Sequence, residues 1–122
     1  QITINNKRIE MKTRILLTQT VTTTQTWADY RSLCGHLTIQ NGAKLTISGT
    51  TVLPYQANII VKNNSELIVD NGNVINSNII VESGGKLTLK NNGVIVQNSD
   101  ETTINTGGLF DFYGGEIKIV SK

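Results

Sequence analysis

The chain has 122 residues, a net charge of +2 and one cysteine, Cys34, so its length fits one domain and no internal disulfide can form. The charge is split, net +3 over residues 1–36 and net −1 over residues 37–122, with no stacking aromatics among the basic groups, which argues against nucleic-acid binding. The longest apolar runs, such as Ile15-Leu16-Leu17 and Val94-Ile95-Val96, span three residues, so no membrane insertion is expected.

Thr (16 residues) and Asn (14) dominate, against a single Pro. Thr fits a pleated surface through its branched Cβ, and Asn tolerates the left-handed turn conformation, so the composition reads as short strands with frequent corners. Residues 1–36 form an N-terminal capping or irregular β segment. Within it Ile2–Ile4 and Arg14–Leu17 are expected to add strands at one end or along one face. Trp27, at the end of a Thr-rich stretch, can lie across an open stack end or sit half-buried in an incomplete coil. Cys34 reads as a small buried apolar side chain beside a turn glycine, Gly35; His36 stands two residues away, but no nucleophile signature surrounds the pair.

From Leu37 the sequence repeats. LTIQNGAKLTISGTTV (Leu37–Val52) returns as IIVKNNSELIVDNGNV (Ile59–Val74), IIVESGGKLTLKNNGV (Ile79–Val94) and TTINTGGLFDFYGGEI (Thr102–Ile117), at offsets of 22, 20 and 23 residues. Aligned without gaps, the copies give apolar columns: Leu37/Ile59/Ile79/Thr102, Ile39/Val61/Val81/Ile104, Leu45/Leu67/Leu87/Phe110, Ile47/Val69/Leu89/Phe112 and Val52/Val74/Val94/Ile117. Spacing of two within a column pair is the strand period, and the longer jumps cross corners. Gly or Asn fills both corner positions, Gly42/Asn64/Gly84/Gly107 and Gly49/Asn71/Asn91/Gly114. Position-by-position matching of successive units is what stacking at ~4.8 Å requires and a β-sandwich does not. Outward charges alternate along Lys44/Glu66/Lys86, Lys62/Glu82 and Asp70/Lys90, as stacked neighbours should.

The sequence therefore predicts an all-β, right-handed, single-stranded parallel β-helix of about four to five coils of 20–23 residues, three short strands per coil, with an N-terminal cap. Coils are expected near 37–57, 58–77, 78–100 and 101–122, with every change of length placed in one connecting loop per coil. The last coil has no evident cap, which suggests a fragment of a longer chain or oligomerisation through an open C-terminal end.

Thr22–Thr24, Thr26 and Trp27, followed by Leu37–Ile39, Gly42-Ala43, Leu45–Ile47 and Gly49–Val52, form a phrase that resembles the right-handed parallel β-helix regions of large secreted bacterial surface proteins. The resemblance implies a secreted or cell-surface location and a structural or adhesion role, with a protein or glycan partner. Such coils also scaffold polysaccharide lyases and hydrolases, which group carboxylates on one outward face. Here Glu66, Asp70, Glu82, Asp111 and Glu116 fall in different columns, so neither catalytic residues nor a cofactor are expected. Asp70-Asn71-Gly72-Asn73 lacks the alternation and closing Glu of a calcium loop, so no metal is expected. Two surface candidates remain. Leu53, Ile75 and Ile95, with Ile60 and Ile80, are expected to face outward as an apolar stripe, covered by residues 1–36 or by a partner. Tyr55 and Tyr113 are candidate glycan contacts for the alternative reading, a carbohydrate-binding module or a scaffold piece of a polysaccharide-degrading enzyme.

Overall fold

A computed structural model describes residues 17–75, 78–97, 102–104 (backbone) and 107–119. These residues hold fifteen strands and no helix, arranged as five rungs of three. The first rung is β1 (Leu17–Val21), β2 (Gln25–Trp27) and β3 (Tyr30–Ser32), and the second is β4 (Gly35–Ile39), β5 (Lys44–Ile47) and β6 (Thr50–Val52). The third is β7 (Asn58–Val61), β8 (Glu66–Asp70) and β9 (Asn73–Ile75). The fourth is β10 (Asn78–Val81), β11 (Lys86–Lys90) and β12 (Gly93–Gln97), and the fifth is β13 (Thr102–Ile104), β14 (Leu109–Phe112) and β15 (Gly115–Ile119). Strands stack into three five-stranded parallel sheets, β1-β4-β7-β10-β13, β2-β5-β8-β11-β14 and β3-β6-β9-β12-β15. The protein is a parallel β-solenoid, a β-helix with three strands per coil.

The core follows from strand alternation. In the first two sheets the expected columns stack in register, Leu37/Ile59/Ile79 with Ile39/Val61/Val81, and Leu45/Leu67/Leu87 with Ile47/Val69/Leu89. All twelve side chains are fully buried. Removal of each from water is worth roughly 1.5–3 kcal/mol, which offsets the ordering of a thin, Thr- and Asn-rich chain.

The first corner also forms as expected. Gly42, Asn64, Gly84 and Gly107 take φ values of 76°, 65°, 81° and 88°, the left-handed region that Gly and Asn reach with least strain.

The third sheet differs from the ungapped alignment. Its inward column is Thr51/Val74/Ile95/Ile117, whereas Val52 and Val94 are half-buried and face outward. The second corner is the cause. One residue separates Ile47 from Gly49, two separate Val69 from Gly72, three separate Leu89 from Gly93, and two separate Phe112 from Gly115. Length therefore varies at this corner as well as in the connecting loop. What aligns after it is a stack of glycines, Gly49/Gly72/Gly93/Gly115, and not Gly49/Asn71/Asn91/Gly114. Each glycine lies against the backbone of the preceding rung: a Cβ on Gly72 would overlap the Ile47 carbonyl oxygen, and one on Gly93 would stand 2.7 Å from that of Val69. The chain passes from one sheet to the next at a distance that no side chain allows.

The repeat also begins earlier than Leu37. Residues 17–32 form a complete rung, with Gln19 stacked on Leu37, Val21 on Ile39, Gln25 on Leu45, Trp27 on Ile47 and Arg31 on Thr51. The segment expected to cap the end or fold over a face is, over these residues, one more coil. The strand expected at Ile2–Ile4 lies outside the described residues, as do Arg14, Ile15 and Leu16 of the one expected at Arg14–Leu17. Trp27 is 1% exposed and points inward. Its Nε1 donates to Gln25 Oε1 (2.9 Å), and the Arg31 guanidinium lies 4.4 Å from its ring centre while pairing with Asp29 (2.8 Å).

Candidate functional site

The prism carries three flat outer faces, three corners and two ends, and the sequence-derived candidates divide among them. The proposed apolar stripe does not form as expected. Leu53 and Ile95 are fully buried, because the shifted register turns them into the core. Ile75 faces outward, between Val52 and Val96, with Val94 on the adjacent outward column. Ile60 and Ile80 are neighbours on the outer face of the first sheet. All of these outward residues are half-buried, since a β-branched side chain is covered on two sides by its neighbours one rung away. Val52, Val94 and Val96 escaped the sequence reading; the glycine stack that sets their register was the signal that identifies them.

Tyr55 (46% exposed) lies between β6 and β7, at the corner joining the third sheet to the first. Tyr113 (71% exposed) lies between β14 and β15, at the corner joining the second sheet to the third. The fold does not bring them together into one platform.

The charge columns stack as the alternation predicts, Lys44 on Glu66 on Lys86 and Asp70 on Lys90. Several groups nonetheless bond sideways. Glu66 Oε2 accepts from Thr88 Oγ1 (2.7 Å), Asp70 Oδ1 accepts from Asn91 Nδ2 (2.7 Å), and Lys86 Nζ meets Asp111 Oδ2 (3.3 Å). Lys62 and Glu82 pair directly (3.5 Å). Hydrogen bonding to Asp111, then the Glu66 charge, holds the Lys86 ammonium above its usual range. The hydrogen bond from Arg31 holds the Asp29 carboxyl below its usual range. The Asp70 oxygen is thus committed to an Asn one rung on, and no group of three metal-ligating side chains converges among the described residues.

Cys34 is exposed, not buried, because it falls before β4 and outside the inward columns. Gly35 is not a turn glycine but a close approach, where a Cβ would overlap the Leu17 backbone. His36 accepts the Asn58 amide proton at Nδ1 (3.0 Å), which uses that nitrogen in the strand ladder.

A shallow groove of about 610 Å³ runs along the first corner between Gln40–Gly42, Lys62–Asn64 and Glu82. It is lined by amides and one ion pair, and presents hydrogen-bonding groups without a nucleophile or paired carboxylates. Among the described residues, most of the exposed large hydrophobic side chains belong to the fifth rung. Phe110 and Phe112 occupy inward columns above Leu87 and Leu89, yet are 40% and 58% exposed, with ring centres 6.2 Å apart. Leu109, Tyr113 and Ile119 are exposed beside them.

No family model, characterised protein or solved structure matches the chain.

Proposed function

We propose that this chain is a non-catalytic structural or adhesion-type module of a secreted or cell-surface bacterial protein, a rigid spacer and not an enzyme. The supporting observation is the unbroken stack itself. Three parallel sheets run through five rungs in a single register, and the outward columns hold Thr, Asn, alternating charge and self-covering β-branched side chains. Such a surface favours extension and solubility over ligand chemistry. Glu66, Asp70, Glu82, Asp111 and Glu116 stand in separate columns, which supports a role without general acid–base work. The placement of Tyr55 and Tyr113 at different corners weighs against their acting as one glycan platform.

A glycan array and a polysaccharide-cleavage panel test the reading. No binding and no turnover are expected. Specific binding lost on Tyr55→Ala or Tyr113→Ala would replace the spacer with a carbohydrate-binding module, and turnover would replace it with an enzyme scaffold.

A further inference from the structure

The first sheet is joined from rung to rung by its backbone, except at one place. Past the far ends of its strands Gln40 N donates to Val21 O, Lys62 N to Ile39 O and Glu82 N to Val61 O. At the near end Asn78 N, the first residue of β10, donates to Ala57 O (3.4 Å). The equivalent amide one rung earlier, Asn58 N, donates instead to a side chain, His36 Nδ1 (3.0 Å). An imidazole nitrogen accepts only while it has no proton, and in the imidazolium both nitrogens are donors. Protonation therefore sets an N–H against the Asn58 N–H.

The loop that this bond anchors is strained. Among the described residues six non-glycines take positive φ; five are Asn, and the sixth is Gln56 (φ 70°), two residues before Asn58. Gln lacks the short side chain that eases Asn into the left-handed region, so its surroundings must hold it there. Leu53 and Ala57 are buried at the two ends of the loop, Leu53 N donates to Ile75 O, and Ala57 N donates to Pro54 O. The His36 bond fixes the next residue. We propose that His36 is an acid-sensitive joint between the second and third rungs: the neutral imidazole holds the start of β7 and the loop before it, and the imidazolium releases both, so that Gln56 can leave the left-handed region. Thr18 pairs with His36 on one side, and Asn58 follows it on the other. β1, β4 and β7 hold no other ionisable side chain, and the segments leading into β4 and β7 add Cys34 and Tyr55. None of these is a carboxylate, so these elements offer the imidazolium no ion pair in place of the lost bond. Histidine changes charge between about pH 5 and 8, so the joint is closed at the upper end of that range and opens as pH falls.

Amide hydrogen exchange read by NMR on the whole 122-residue chain, between about pH 8 and about pH 5 with intrinsic rates divided out, tests the proposal. The Asn58 and Ala57 amides should lose protection about tenfold on acidification, in step with the imidazole resonances of His36, while Lys62 beyond the other end of β7 keeps its protection. His36→Asn offers an amide oxygen in place of Nδ1, and the column already holds Asn58 and Asn78 in the next two rungs. This variant should protect Asn58 equally at both pH values. His36→Ala leaves no acceptor and should expose Asn58 at both, with circular dichroism unchanged. Asn58 protection that stays constant while the imidazole titrates in the parent chain overturns the proposal. A pH dependence that survives in His36→Asn overturns it by tracing the effect to another group. Loss of protection at Lys62 together with Asn58 overturns the local joint in favour of opening of the whole stack.

Discussion

Thr51 is the inward residue of the third sheet between Arg31 and Val74, and its hydroxyl is buried without a hydrogen-bond partner. A buried hydroxyl left unpaired costs roughly 1–3 kcal/mol, and Val matches Thr in shape. Thr51→Val should therefore stabilise the fold by about 1 kcal/mol, seen as a higher urea midpoint at unchanged slope. The glycines divide into two kinds that substitution can separate. Gly72 faces the Ile47 carbonyl, so Gly72→Ala should cost about 2–3 kcal/mol, as overpacking against backbone does. A Cβ on Gly42 would meet nothing closer than 4.0 Å, and Asn64 already holds the equivalent position at φ 65°, so Gly42→Asn should change stability by no more than about 0.5 kcal/mol. Asp29 adds a pH signature. Its carboxyl is held below the ordinary 3.8 by Arg31, so the folded state prefers the ionised form. The contribution is complete above 3.8 and is lost as pH falls through the lower folded value. A small stability deficit of Asp29→Asn at pH 7 should thus close below 3.8 in acid denaturation curves.

At the scale of elements, the second sheet stacks leucine on leucine in its inward column. Leu67 of β8 lies between Leu45 and Leu87, while Ile68 beside it faces outward between Thr46 and Thr88. Leu67→Ala should cost about 3 kcal/mol through the cavity it leaves, and Ile68→Thr less than about 1 kcal/mol, both read from urea unfolding. This contrast was legible in the sequence because Leu45, Leu67 and Leu87 stand at one distance from the first-corner residues Gly42, Asn64 and Gly84 in every coil. The third sheet was not legible in the same way. Its strands follow a corner that grows from one residue to three, and a one-residue slip exchanges inside for outside. That slip made Leu53 and Ile95 look like a surface stripe when they are core. Gly49, Gly72, Gly93 and Gly115 carried the correct register, but as a close-approach column they resemble ordinary turn glycines until the backbone of the neighbouring rung is in place. The first rung was obscured for a related reason: its inward positions hold Gln19, Gln25 and Arg31, so the apolar columns stop although the strands do not.

The described rungs form a nearly one-dimensional stack, since each sheet pairs only neighbouring rungs. In such a stack a rung is held by two interfaces in the middle and by one at an end, so local opening should start at the ends and move inward. The two ends are not equivalent. At the first described rung Arg31 lies over Trp27 and joins Asp29, while Gln25 accepts from the indole nitrogen, so polar groups hold the indole of that rung. At the last rung Phe110 and Phe112 stack on Leu87 and Leu89 from one side only and remain 40% and 58% exposed. Hydrogen exchange followed by mass spectrometry on dilute protein should consequently show slowest amides in β5, β8 and β11 and fastest exchange in β14 and β15, with β2 between them. Replacing Arg31 by Ala uncovers the indole face, and should raise exchange in β2 without altering β14. Equal protection of β2 and β14 in the parent chain, or a uniform change along the stack in Arg31→Ala, would show that the rungs open as one unit and that end chemistry does not set where the solenoid frays.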